Sequence, residues 1–262
     1  MKKYLCQIFA IFFVLYSTNI SAQIKYSTTG DDATIIQVIA QGSINDINKL
    51  ISSGYDVNGE YDCTPMLNSA IFSIAQEIDS PPRTAVEKVR FLLEKKANPN
   101  IQVCGTTPLA AAITIPAQIE AIKQKMLTDF RTDNNINKRS DYVLLEQELK
   151  DFFTIKQQAA GQAVIEIIDS LISAGADINM PYENASTPLH LVANYTDTFS
   201  LTILRHLISN GANVNVKNIL GNTPLFIAYR VGNEEAIKML LEAGADPLIR
   251  NNKGLLYNQL IQ

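Results

Sequence analysis

Apolar residues in the stretch GNTPLFIAYRVGNEEAIKMLLEAGADP, residues 221–247, recur at helical spacings of three and four positions. Leu225 and Ala228 lie one turn apart in a first short segment. Ile237 and Leu240 begin the apolar stripe of a second segment. The pattern therefore predicts two short helices that each bury one face.

Turn residues mark where these helices begin and end. Thr223 is suited to cap the first helix, and Pro224 fills its first position, where no N–H is missed. Gly232 separates the two helices, and we expect Gly244 to take the left-handed conformation that ends the second. Helices shorter than about 12–15 residues do not persist alone, so this turn-helix-loop-helix unit must stack on neighbours.

The unit recurs along the chain. Thr-Pro pairs begin at residues 64, 107, 187 and 223. The helix ends recur as LISSGYDVN, LLEKKANPN, LISAGADIN, LISNGANVN and LLEAGADPL. Gly211 and Gly244 are 33 positions apart, and Gly175 and Gly211 are 36 apart. A period of this length indicates a repeat array.

These motifs resemble those of the ankyrin repeat family, with its TPLH and GADVN signatures. The resemblance implies an all-α solenoid of about five units with a partial C-terminal cap and no sheet beyond short turn hairpins. After a linker at 23–30, the repeat domain is predicted to span 31–262. Its predicted units are 31–58, 59–100, 101–179, 180–215 and 216–248, followed by a cap at 249–262.

The third unit carries a predicted insertion at 115–160. Ile119, Ile122, Met126 and Phe130 share one helical face, residues 131–141 form a polar turn, and residues 142–173 continue as one long helix into the unit. We therefore expect a helical hairpin. The pattern leaves open whether the hairpin stands out as a binding element or packs down over neighbouring helices.

The first 22 residues follow the pattern of a secretory signal peptide. Lys2 and Lys3 precede an apolar stretch at 4–16, and Ser21 and Ala22 suit a cleavage site. The alternative, a membrane anchor, needs about 20 apolar residues. Cleavage would change the net charge from −4 to −6, which disfavours nucleic acid as a partner. We expect export to the periplasm, with secretion from the cell as the alternative, and no membrane insertion after cleavage.

Two cysteines remain after cleavage. Cys63 and Cys104 lie at predicted turn tips of adjacent units. Because stacking brings such tips together, and because the periplasm is oxidising, we predict a disulfide between them rather than two thiols.

The sequence shows no catalytic constellation. It lacks a phosphate-binding loop and a nucleophile elbow, and neither of its two histidines has a Cys or carboxylate at metal-ligand spacing. His190 stands in the TPLH motif, where the resemblance implies an internal hydrogen-bonding role. His206 is interpreted as a solvated or packed side chain. We expect a monomer without enzymatic activity, cofactor or metal.

The family resemblance also implies where a protein partner would bind, at the turn tips and on the exposed side of the first helices. The corresponding residues are Tyr61, Asp62, Val103, Thr106, Glu183, Asn184, Asn194, Tyr195, Ile219, Leu220, Asn222 and Arg230. Tyr61 and Tyr195 are predicted aromatic anchors, and Ile219 with Leu220 makes an apolar tip. We expect Tyr195 and this tip to form the centre of the interface with the partner.

The sequence therefore predicts a protein-binding scaffold of the periplasm. Some exported bacterial ankyrin proteins resemble immunity proteins, so one version neutralises a toxin delivered into that compartment. The alternatives are an envelope scaffold in stress protection and a secreted effector that binds host proteins.

Overall fold

The computed structural model describes residues 30–61, 63–76, 83–132 and 139–259. Within these ranges five helix pairs stack along the chain in sequence order. The helices are α1 (Gly30–Gln41), α2 (Ile44–Ser52), α3 (Met66–Gln76), α4 (Arg83–Glu94), α5 (Pro108–Thr132), α6 (Arg139–Ser173), α7 (Pro188–Ala193), α8 (Thr198–Ser209), α9 (Pro224–Arg230) and α10 (Glu234–Glu242). This architecture confirms the predicted all-α solenoid. The predicted signal peptide and all of the linker except Gly30 lie outside the described residues.

The predicted helix boundaries of the fifth unit are confirmed. The Thr223 side chain accepts a hydrogen bond from the backbone N–H of Phe226 at 3.4 Å, and Pro224 is the first residue of α9. Gly232 and Gly244 have φ values of 71° and 87°, in the left-handed region that glycine tolerates best. The local chemistry of the motif therefore determines where these helices start and stop.

The turn hairpins between units are the described strands. Strands β1 (Glu60–Tyr61) and β2 (Thr64–Pro65) pair antiparallel, with Tyr61 opposite Thr64. The next unit repeats this pairing between Val103 and Thr106. Helix α3 begins one residue after Pro65, whereas α5 begins at Pro108 itself. The Thr-Pro pair of the second unit therefore stands one position earlier relative to its helix than the sequence motif suggests.

A series of asparagine side chains joins the loops that follow the second helix of each unit. Asn58, Asn100, Asn179 and Asn215 each accept a hydrogen bond from a backbone N–H of the next unit, at 2.7 to 2.8 Å. Three of them also donate to a backbone carbonyl of that unit. The same contact recurs between all five units, so it keeps them in one register.

The third unit contains the hairpin, and both of its arms are extensions of the unit's own helices. Helix α5 passes through Pro116 to Thr132, and α6 runs 35 residues from Arg139. The predicted polar turn at 131–141 was therefore too long at both ends, because residues 131–132 belong to α5 and residues 139–141 belong to α6. Residues 133–138 of that turn lie outside the described part.

The two arms of the hairpin pack against each other. Ile119, Met126 and Phe153 are buried between the arms, and Phe153 is 1% exposed. The Glu120 carboxylate accepts hydrogen bonds from the side chains of Gln157 and Gln124 at 2.6 and 2.7 Å. Burial raises the pKa of Glu120, but these bonds and the Lys123 ammonium outweigh it and lower the pKa overall. The arms are thus joined by both apolar and polar contacts.

Helix α6 also contacts the fourth unit closely. A Cβ added at Gly161 would overlap the ring of Phe199 in α8. Nearby, the His206 ring nitrogen Nε2 lies 2.7 Å from a carboxylate oxygen of Asp169. His206 is therefore a packed side chain at the boundary between α6 and α8, as one of its two interpretations expected. None of the helices in the described ranges combines the length and apolar character needed to span a bilayer.

Candidate functional site

An open groove of about 370 Å³ lies between the fourth and fifth units, beside the ends of α7 and α9. Five of the predicted binding residues line it: Asn184, Asn194, Ile219, Leu220 and Arg230. The structure therefore brings these five residues into one surface. Three of them lie on two turn tips, and the other two lie at the ends of two first helices. This groove is the candidate site.

One wall of the groove is the apolar tip formed by Ile219 and Leu220. The two residues are 61% and 59% exposed. The Ile219 backbone N–H donates to the carbonyl of Asn184 at 2.8 Å, and the Leu220 carbonyl accepts from the backbone N–H of Asn252 at 3.1 Å. The tip is thus tied to the unit on each side. Two large apolar side chains are held in solvent on a fixed backbone, which is typical of an interface.

The opposite wall ends at Arg230, the last residue of α9. Its Nη2 donates to the side-chain oxygen of Asn194, just after α7, at 3.0 Å. Both side chains are exposed. The asparagine therefore orients the guanidinium at the surface of the groove, and the described residues offer Arg230 no carboxylate in an ion pair.

His190 lies at the base of the groove and is 3% exposed. The backbone N–H of Thr187 donates to its Nδ1 at 3.1 Å, so Nδ1 carries no proton. Its Nε2–H then donates to the carbonyl of Asn222 at 2.9 Å. Burial lowers the pKa of His190, although carbonyls of Asn222 and Val216 oppose the effect. The internal role expected from the TPLH motif is confirmed, and His190 fixes the tip of the next unit.

Two tyrosines stand near the groove. Tyr182 lines it, and burial, with smaller effects of Tyr195 and Glu183, raises its pKa to about 12. Tyr195 is half-buried beside α7, where burial and Asp197 raise the pKa of its phenol. Tyr182 was not among the predicted contact residues, although an aromatic residue two positions before the tip residue Asn184 was a usable signal. Tyr195 does not line the groove itself, whereas Ile219 and Leu220 do. That Tyr195 and this tip form the centre of an interface stays a prediction.

Three predicted contact residues are buried and cannot serve as exposed contacts. Tyr61 is 9% exposed, Val103 5% and Asn222 6%. Side chains alternate across an extended strand, and Tyr61 takes the inward position after the exposed Glu60. Val103 holds the same place in the next hairpin. The prediction that these three side chains contact a partner is therefore wrong.

Asn222 is buried because its polar groups are used within the stack. Its carbonyl accepts from His190, and its side-chain oxygen accepts from the amide of Asn251 at 3.1 Å.

The remaining predicted contacts lie elsewhere. Thr106 is half-buried in the hairpin of the third unit, and Glu183 is exposed beside Asn184 but does not line the groove. Asp62 lies outside the described residues.

Cys63 and Cys104 are both exposed on neighbouring hairpins, and both have left-handed backbone with φ values of 58° and 46°. Cys63 is the second residue of its two-residue turn, whereas Cys104 is the first residue of its turn. Neither sulfur takes part in a disulfide in the structure, so the cross-link stays a prediction for the exported protein. Among the described residues, the potential metal ligands form no group of three or more.

Residues 157–251 match the family model for ankyrin repeats (3 copies). The chain is also 38% identical over 104 residues to an ankyrin repeat protein of fowlpox virus (strain NVSL). That match covers 39% of this chain and 24% of the viral protein, so the chain spans about a quarter of its relative. The family match covers the last part of α6 and the fourth and fifth units, which are built like the earlier ones, with the same helix pairs and asparagine contacts. Residues 157–251 are therefore ankyrin repeats.

Proposed function

We propose that this chain is a non-enzymatic scaffold that binds another protein through the groove between its fourth and fifth units. Ankyrin repeats indicate a protein-binding scaffold, and the family is generally non-enzymatic. The observation that supports the groove is the Ile219–Leu220 tip. Its two apolar side chains are more than half exposed on a backbone fixed by hydrogen bonds to both neighbouring tips.

We place this activity in the periplasm, after removal of residues 1–22. The basic start and short apolar stretch of those residues support export. In that compartment the scaffold acts as an immunity protein that neutralises a delivered toxin. The rival roles, an envelope scaffold in stress protection and a secreted effector, differ from it in location or in partner. Cell fractionation distinguishes the secreted effector from the two periplasmic roles, because only a secreted effector accumulates outside the cell.

The binding proposal is tested by affinity capture with the mature chain on a cell-envelope extract. The partner identified by mass spectrometry is then purified and titrated against the chain and its variants. Replacing both Ile219 and Leu220 with Ala should weaken the binding of this partner by more than about 2 kcal/mol, as expected when interface anchors are removed. Helicity, measured by circular dichroism, should stay unchanged.

Leu248→Ala provides the matched control, because Leu248 is 73% exposed and does not line the groove. A second variant, deletion of 131–141, removes the end of the hairpin. If the double substitution leaves affinity intact while this deletion abolishes binding, the hairpin is the recognition element and the groove assignment is wrong. A toxin as the captured partner would support the immunity role, and an endogenous envelope protein would support the scaffold role.

A further inference from the structure

The charge inside the groove is opposite in sign to that of the whole chain. Arg230 is the charged side chain among the described residues that line the groove, whereas the chain has a net charge of −4. His190 is also at the base, but its pKa is lowered and its Nδ1 accepts a backbone hydrogen bond, so it is neutral near pH 7. The groove therefore presents one positive charge.

Building on the proposed function, we infer that the groove recognises an extended segment of the partner in which an Asp or Glu side chain stands next to an aliphatic one. The carboxylate pairs with Arg230, and the aliphatic side chain packs on Ile219 and Leu220. This assigns a ligand chemistry to the groove, in addition to its role as a binding surface.

The geometry of Arg230 suits a carboxylate. A guanidinium carries five N–H donors in a planar fork, and two parallel donors match the two oxygens of a carboxylate. One of the Nη2 donors is committed to Asn194 at 3.0 Å, which fixes the orientation of the plane. The side chain is exposed and has no ion pair within the described chain, so a ligand carboxylate meets no internal competitor. Orienting the fork beforehand lowers the entropic cost of binding.

The second half of the recognition is apolar. Ile219 and Leu220 are exposed, and the side-chain amide of Asn252 donates to the carbonyl of Ile219 at 2.9 Å, which adds to the fixation of the tip. Burying these side chains against an aliphatic residue removes apolar surface from water. A volume of about 370 Å³ holds a few side chains, which suits a short segment better than a folded surface.

The test uses random 12-residue peptides displayed on phage and selected on the immobilised mature chain. Display through the peptide's own carboxyl end leaves side-chain carboxylates as the acidic groups of the peptide. We expect the enriched peptides to carry Asp or Glu beside Leu, Ile or Val. An enriched peptide is then synthesised, and its affinity is measured by fluorescence anisotropy.

Arg230→Gln should weaken this peptide about ten-fold, since a hydrogen bond between charged groups is lost. Lys238→Gln makes the same change in net charge at an exposed residue of α10 outside the groove, and should have little effect. Replacing the peptide's carboxylate with its amide should also weaken binding to the unmodified chain about ten-fold. That replacement should have little further effect on Arg230→Gln, because both changes remove the same contact.

Enriched peptides without an acidic residue, or equal losses from Arg230→Gln and Lys238→Gln, would overturn the inference. In either case the chain still binds peptides, so the proposed scaffold function stands. A selection that enriches nothing would overturn the inference as well. Combined with an affinity capture that retains no partner, it would overturn the proposed function too.

Discussion

The side-chain amide of Asn100 donates a hydrogen bond of 2.8 Å to the carbonyl of Gly175, which lies 75 positions later in the chain. The oxygen of the same amide accepts from the backbone N–H of Asp177 at 2.7 Å. One side chain therefore joins the second and third units across the whole insertion. The register of the stack does not depend on the length of the hairpin.

Asn100→Ala should lower the free energy of unfolding by about 1–3 kcal/mol, because two hydrogen bonds between units are lost. Urea denaturation followed by circular dichroism measures this change. Asn210→Ala is the control, because the Asn210 side chain donates to the carbonyl of His206 within its own unit. This substitution should lower the free energy of unfolding by less than about 0.5 kcal/mol. Equal losses for the two variants would show that Asn100 does not link the units.

The stability of the protein should fall as the pH drops below about 6.5, the ordinary pKa of histidine. Since the folded state lowers the pKa of His190, the unfolded chain binds this proton first. The contribution of His190 to the free energy of unfolding is complete above that pH. It is lost below that pH, by at most about 1.4 kcal/mol per pH unit.

Thermal unfolding at pH 7 and pH 5 measures the effect. His190→Gln should be less stable at pH 7 but should lose less between the two pH values, because the titrating group is gone. The same pH dependence in both proteins would count against this explanation.

Gly161→Ala should destabilise the protein by about 1–3 kcal/mol, although alanine favours helices, because the added methyl group overlaps Phe199. The chain offers an internal control. With Phe199→Ala already in place, the overlap is removed, and Gly161→Ala should stabilise by up to about 1 kcal/mol through helix propensity. If the effect keeps its sign in both backgrounds, the contact between α6 and α8 is not the cause.

In the exported protein, Cys63 and Cys104 should resist a thiol-specific reagent until a reductant is added. Their exposure ensures that either sulfur would react if it were a thiol. The bond would close a loop of about 41 residues and stabilise the fold by roughly 4 kcal/mol in the chain-entropy model. Mass spectrometry of the labelled chain measures the result, and modification of both cysteines before reduction would refute the disulfide.

The features that the sequence predicted well depend on local chemistry. Thr223, Pro224 and Gly244 act within a few residues of themselves, so their positions in the motif determine the helix ends. The tip at Ile219 and Leu220 was predictable for the same reason, because a turn places its residues at the surface.

Features that depend on a neighbouring unit were predicted less well. Tyr61 and Asn222 look like tip residues in their own unit, but both are buried. The Tyr61 hydroxyl donates to the carbonyl of Asp56 in the preceding unit at 3.1 Å, and the Asn222 carbonyl accepts from His190. Tyr182 was missed because it lines a groove that forms only where its own unit meets the fifth, beside Ile219 and Leu220. The path of α5 through Pro116 was also missed, since a proline inside a helix normally signals its end.

The continuous arms of the hairpin restrict how its length can change. An α-helix turns once in about 3.6 residues, so the inward faces of Ile119 and Phe153 stay aligned only when each arm grows or shrinks by whole turns. One turn added to both arms takes about seven residues. Insertions and deletions in this hairpin should therefore be tolerated in steps of about seven, and single-residue changes should rotate one arm by about 100° against the other.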